Sequence, residues 1–163
     1  MKKIDTTYWK EFRIGDLFEK LELPFLKKEF NKAFDVSLEK NDEYSLPLVN
    51  AKHSNNGIMY YGRPSDFASA EMTIDIVADG AASTGDVYPQ PQRTGVLYNA
   101  YLIRLRNKDI VSKEILFFLS AVIERSVKQK FGYDNKCTWE KVSAEYIKLP
   151  VKEDTPDWQY MEN

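Results

Sequence analysis

One segment of the chain repeats with the period of a helix, and it constrains the fold more than any other. Ile115, Leu119, Val122, Ile123 and Val127 recur at helical spacing behind Ser112, a residue type that caps helix N-termini. Phe117 and Phe118 widen the apolar face at its start, which predicts deep burial there. Glu124 and Lys128 are spaced to pair along the helix, and Arg125, Lys128 and Lys130 bring positive charge to its C-terminal dipole end. Gly132 is a natural C-cap, so a helix over roughly Ser112 to Lys130 is expected.

The rest of the chain reads as short strands and polar turns. Trp9 to Ile14 alternates apolar and polar residues, then Gly15-Asp16 breaks the pattern, with Asp16 as N-cap of one short turn through Leu17 and Phe18. Residues 37–45 are polar and predict an exposed loop. Leu46 to Ala51 reads as a strand, and Asn56-Gly57 is a hairpin-turn signal before Ile58-Met-Tyr-Tyr61. Met72 to Val77 and Leu97 to Leu105 both alternate with a period of two. Tyr88-Pro-Gln-Pro-Gln92 is expected outside any sheet, because two prolines remove ladder donors. A helical turn over 138–143 leads to a closing strand, Tyr146 to Val151. With no regular βαβ alternation, the predicted class is α+β: a single domain, a mostly antiparallel β-sheet and one dominant helix.

At 163 residues the chain is about one domain and can bury a core without disulfides or metal. Its single cysteine, Cys137, excludes an internal disulfide and suits a reducing cytosol. No signal-peptide pattern opens the chain, and the longest apolar stretch, 115–123, is too short to span a bilayer, so a cytoplasmic protein with no membrane partner is expected. A net charge of −2 and a pI near 5.6 argue against a free-standing, tight DNA binder, since phosphate neutralisation supplies most non-specific affinity. They leave room for one component of a larger assembly. Basic residues outnumber acidic ones from Tyr101 to Lys141, whereas the tail from Val151 is acidic.

Catalytic constellations are missing. His53 is the sole histidine, and its Asn/Ser-rich surroundings suit a surface or hydrogen-bonding group better than a general base. One Cys and one His at distant positions match no metal-ligand spacing. Gly80-Ala-Ala-Ser-Thr-Gly85 lacks the Gly-Lys-Ser/Thr ending of a phosphate loop, and Asp134-Asn-Lys136 has a nuclease-like Asp-x-Lys spacing without its partner carboxylate. No methyltransferase Asn/Asp-Pro-Pro-aromatic motif or glycine-rich cofactor loop occurs. The expectation is a binding protein with no cofactor, no metal and no catalysis of its own.

Two polar, glycine-bearing stretches, Leu48–Arg63 and Ala78–Arg93, hold the chemistry that remains. Both are crowded with Asn, Gln, Lys, Arg, Ser and Thr, the side chains that read nucleic-acid edges. Tyr60, Tyr61, Tyr88, Tyr98, Tyr101, Tyr133 and Trp139 include possible stacking platforms. Tyr60, Tyr61 and Trp139 are the better candidates because they sit beside polar loops, and the others suit half-buried wedges of a small sheet.

The order of segments is informative too. An opening Trp9…Phe12-x-Ile-Gly-Asp-Leu-Phe18 is followed by Val49…Asn56-Gly-Ile…Tyr61, then Ile76-Val-Ala-Asp-Gly…Gly85-Asp-Val and Leu97…Ala100-Tyr-Leu-Ile. Lys130-Phe-Gly-Tyr-Asp-Asn-Lys-Cys-Thr-Trp139 and Val142…Tyr146-Ile-Lys-Leu-Pro150 close the series. Over nearly its whole length the chain resembles the target recognition domain of specificity (S) subunits of Type I restriction-modification systems, including the related BcgI-like enzymes.

That resemblance implies a fold like the DNA methylase specificity domain and a role in recognising one half of a bipartite double-stranded DNA target. It implies a target recognition domain over 1–151, with 152–163 as the start of a truncated spacer helix or a tail. Catalysis would come from partners: methyltransferase (M) subunits carrying S-adenosylmethionine, and restriction subunits. Lys52, His53, Asn55, Asn56, Gln90, Gln92 and Arg93 are then the expected base-edge contacts, with Asn or Gln toward adenine and Arg or Lys toward guanine. Arg63, Lys128, Lys130 and Lys136 are the expected phosphate contacts, with Ser83 and Thr84 either helping them or bonding within their own turn. The 52–56 and 90–93 loops should share one side of the domain, with the basic helix end at its margin. A carbohydrate- or peptide-binding β-rich module is the alternative, since Tyr and Trp beside Asn, Gln and Asp, on an acidic protein, suit sugar faces.

Overall fold

The strand over Thr73–Val77 is buried at every residue, so both of its faces are covered and the rest of the fold is arranged around it. A computed structural model describes residues 3–132 and 134–163. The chain begins with β1 (Lys10–Arg13), α1 (Ile14–Leu17), β2 (Phe18–Lys20), α2 (Lys32–Asp35), β3 (Val36–Ser37), β4 (Leu46–Val49) and β5 (Ile58–Gly62). It continues through β6 (Thr73–Val77), β7 (Val87–Gln90), β8 (Gly95–Val96), β9 (Ala100–Leu105) and α3 (Lys113–Val127). It ends with α4 (Trp139–Val142), β10 (Tyr146–Leu149), β11 (Val151–Lys152), β12 (Thr155–Pro156) and α5 (Trp158–Glu162).

The first sheet has the order β2-β9-β6-β7 and is antiparallel throughout. In β6, Ile74 and Ile76 join Ile115, Leu119, Ile123 and Val127 of α3 in the main core. Each fully buried Leu or Ile of this layer contributes roughly 1.5–3 kcal/mol relative to exposure. By the two-residue alternation of a strand, Thr73, Asp75 and Val77 face the other way. On that face the turn between β4 and β5 comes down on Asp75 at Gly57. The second sheet, β3-β5-β4-β8, is antiparallel except for the β4–β8 pair and encloses a smaller core of Val36, Leu46, Leu48 and Phe67. β1 pairs with the closing strand β10, setting Phe12 opposite Ile147. Residues 152–163 fold back: β12 pairs with β11, and Met161 of α5 is 4% exposed within the main core.

The α+β class, the mostly antiparallel pairing and the dominant helix are as read from the sequence, and Ser112 Oγ accepts the Ile115 amide at 3.2 Å as the N-cap. Several details differ. The helix ends at Val127, and Gly132 does not cap it: the Gly132 amide donates to Asn135 O, and its φ is not positive. Lys128 turns away from Glu124, whose carboxylate instead accepts the Val87 amide at 3.2 Å. Phe117 is 48% exposed because it lies on the solvent side of the helix, not among the buried positions 115, 116, 119 and 120. Asp16 lies inside α1, whose N-cap is Arg13, and bonds the Arg13 guanidinium at 3.1 Å. Val87–Gln90 is a strand despite Pro89, which faces Ile74 from the edge strand, where one side needs no ladder donor. The 97–105 segment pairs as β9 only from Ala100, after Asn99 takes a left-handed φ of 60°.

Candidate nucleic-acid interface

Between β4 and β5 the chain makes an unusual turn. Ser54, Asn55, Asn56 and Gly57 have φ of 81°, 47°, 53° and 74° in succession. Left-handed backbone suits glycine and is tolerated by Asn, but each non-glycine residue held there costs on the order of 1–3 kcal/mol unless its surroundings over-determine it. The surroundings here come from β7. The Ser54 amide donates to Tyr88 Oη at 2.8 Å, and Asn56 Nδ2 donates to Pro89 O at 2.9 Å and Gln90 Oε1 at 3.2 Å. Gln90 Nε2 donates back to Asn56 O at 2.6 Å, and Gln92 Nε2 donates to Gln90 Oε1 at 2.6 Å. The structure thus brings the 52–57 and 88–92 segments together.

Beneath the turn sits a buried acidic pair. Asp86 is 2% exposed, and its carboxylate accepts from His53 Nδ1 at 2.5 Å, from Lys128 Nζ at 2.6 Å and from Tyr88 Oη at 3.1 Å. Lys128 Nζ also donates to Ala82 O and Thr84 O, at 2.9 and 3.0 Å. Burial, with further help from Asp86, pushes the Tyr88 phenol up to about 12. Asp75 is wholly buried with no hydrogen-bond partner among the described residues, and burial followed by the Asp86 charge raises its carboxyl well above the usual range. A Cβ at position 57 would collide with the Asp75 carboxylate and the Tyr88 ring, so Gly57 is what lets the turn seat this low.

Of the expected base-edge residues, Asn55 and Gln92 are exposed, and Lys52 is half-buried with no ion pair among the described residues. Arg93, with a side chain 54% exposed, donates to Ser69 O and Oγ at 3.1 and 3.2 Å. His53 is tethered to Asp86, and the Asn56 amide is occupied by β7. Gln90 is fully buried with both amide ends engaged, which removes it from any base edge.

The phosphate set contracts as well. Arg63 is taken up by Asp35, Glu43 and Asp66 and stacks on Tyr44, so it braces the second sheet instead of reaching outward. Ser83 and Thr84 are buried, and Thr84 Oγ1 is bonded to the Gly80 carbonyl and amide within its own turn. Lys128 is an internal strut. Lys130, paired with Glu145, and Lys136, 3.4 Å from Asp79, remain exposed.

Among the stacking candidates, Tyr60 lies under the Lys32 ammonium at 5.2 Å, Tyr61 is half-buried in β5, and Trp139 stands edge-on to Tyr101 against the main core. Tyr133 lies outside the described residues. Sequence reasoning missed Asp75 and Asp86. A carboxylate inside the otherwise apolar run of β6 was the available signal for Asp75, because strands disfavour Asp and burial demands a reason for it. Among the described residues no group of three or more His, Cys, Asp or Glu could hold a metal ion, and no helix is long and apolar enough to cross a membrane.

Known proteins resemble this chain in sequence and in fold. The family model described as Type I restriction modification DNA specificity domain matches residues 7–163. The specificity subunit S.BcgI of the Type II restriction enzyme BgcI from Heyndrickxia coagulans is 22% identical over 165 residues, covering 99% of this chain and 44% of that protein. In fold, the chain matches the S subunit of a Type I restriction-modification system from M. genitalium, with a TM-score of 0.57, 16% identity, and coverage of 94% of this chain and 36% of the other. The HsdS subunit from Thermoanaerobacter tengcongensis gives a TM-score of 0.56 at 13% identity, covering 94% and 35%. The chain therefore spans less than half the length of each of these relatives.

Proposed function

The chain belongs to the family of Type I restriction modification DNA specificity domains, and from that premise we propose that it is a non-catalytic reader of one half of a bipartite target in double-stranded DNA. It works in the cytoplasm within a complex whose methyltransferase subunits carry the chemistry and whose restriction subunits act on the same choice of site. Residues 1–151 form the reader, with 152–163 as the start of a spacer helix or a tail that packs back against it. The observation that carries this reading is the locked pair of segments: β7 clamps a left-handed turn, around which Asn55, Gln92 and Arg93 are exposed and Lys52 is half-buried. A rigid scaffold presenting adaptable loop side chains is how major-groove edges are read.

Energetics favour a component over a free-standing binder. Each good base-edge contact supplies only about 1–3 kcal/mol of discrimination, and a net charge of −2 leaves few phosphates neutralised. A second half-site and basic partner surfaces raise affinity through effective concentration. A carbohydrate- or peptide-binding role draws no support from the family. Mapping methylated sites in cells carrying the complex with Asn55→Ala tests the proposal: the tolerated bases of one half-site should broaden while the other half-site stays unchanged. An unaltered methylation map would take this turn out of the interface.

A further inference from the structure

We propose that Asp86 is the positioning residue of the reading loop: its buried carboxylate, through His53 and Tyr88, fixes the left-handed turn Ser54–Gly57. What this does to base choice rests on the DNA-reading function above.

Three observations converge on Asp86. It is held rigidly, its own amide donating to Ser83 O at 2.9 Å and its carbonyl accepting the Val77 amide at 3.0 Å. Gly85, at φ 84°, packs against the backbone of Lys128, so the carboxylate emerges beside the end of α3. From there the carboxylate reaches the turn by two routes. One is direct, to His53 Nδ1 at 2.5 Å, immediately before the turn. The other passes through Tyr88: the phenol donates to Asp86, which leaves its oxygen oriented to accept the Ser54 amide, the first left-handed residue. Within itself the turn is held by Gly57 N–H to Ser54 O at 3.0 Å, Ile58 N–H to Asn55 O and Asn55 Nδ2 to Ile58 O at 3.0 Å, none of which engages the Ser54 amide. A backbone that costs free energy at successive residues therefore takes its geometry from outside, and Asp86 anchors the N-terminal half while Gln90 anchors Asn56.

Asp86 touches no DNA in this scheme; it acts through Asn55 and Lys52. Groups facing it are Lys128 just past the end of α3, Asp75 from β6, Tyr88 from β7 and His53 just before the turn, with Glu124 of α3 beside Tyr88. Lys128 balances the buried charge, so the latch does not depend on His53 for its electrostatic stability.

The test uses Asp86→Asn and the milder Tyr88→Phe, which deletes a single oxygen, beside Leu119→Ala as a destabilised control in the core of α3. Amide hydrogen exchange at Ser54 in the folded chain should accelerate roughly tenfold or more in the first two and not beyond the global change in the third. In the assembled complex, the ratio of methylation on the target to that on single-base variants should fall roughly tenfold for Asp86→Asn and Tyr88→Phe. It should hold for Leu119→Ala, although that variant is less stable. Unchanged Ser54 exchange, or selectivity that simply tracks melting temperature across the three, overturns the proposal. If exchange accelerates but neither these variants nor Asn55→Ala alters selectivity, the DNA-reading role of the turn fails while its positioning by Asp86 stands.

Discussion

Asn56 and Gln90 close a reciprocal pair: Asn56 Nδ2 donates to Gln90 Oε1 at 3.2 Å, and Gln90 Nε2 donates to the Asn56 carbonyl at 2.6 Å. One residue is exposed and the other fully buried, so the pair pins a surface turn to the sheet interior. Gln90→Ala strands the Asn56 carbonyl and opens a gap between the segments. A loss of about 1–3 kcal/mol is expected, read as a lower urea midpoint at unchanged slope.

Glycine substitutions should separate the turn from ordinary loops. At Gly57, with φ 74°, a methyl group meets Asp75 and Tyr88, so Gly57→Ala should cost more than about 1 kcal/mol. At Gly132 a Cβ meets nothing within 4 Å and φ is not positive, so Gly132→Ala should stay within about 0.5 kcal/mol of wild type. Equal effects in denaturant titrations would contradict the geometry.

Asp75 should give a distinctive pH dependence. Burial raises its folded carboxyl well above the ordinary value of 3.8, so the native state binds the proton more tightly than the unfolded chain does. Its contribution is fully present below 3.8 and is lost as pH rises toward the raised folded value. Asp75→Asn keeps the shape without the titration, so it should be more stable than wild type at neutral pH, and the advantage should shrink on acidification. An advantage that grows on acidification would reverse the sign of the argument.

Exposed cations should divide by role in the assembled complex. Arg93→Ala should relax base preference in one half-site, whereas Lys130→Ala should weaken binding to all sequences alike and flatten the salt dependence. Competition binding at two salt concentrations distinguishes them. Matching losses of specificity in both would place Lys130 among the base contacts.

What was legible in the sequence was local. The Ser112 cap, the apolar repeat of α3 and the Asn-Asn-Gly turn between β4 and β5 each depend on residues within a few positions of one another, and such patterns survive in one dimension. The class of the fold and the two polar segments followed from them. The fate of individual side chains did not. Pro89 is tolerated because β7 lies at a sheet edge, Gln90 is buried because Asn56 lies over it, and Arg63 is occupied because Asp35, Glu43 and Asp66 converge on it. Lys128 carried the same positive charge in either reading, but only the packing of the α3 end against Asp86 decided that the charge points inward. Charge and polarity are properties of a residue, whereas whether they face solvent or a buried partner is a property of chain segments meeting in space.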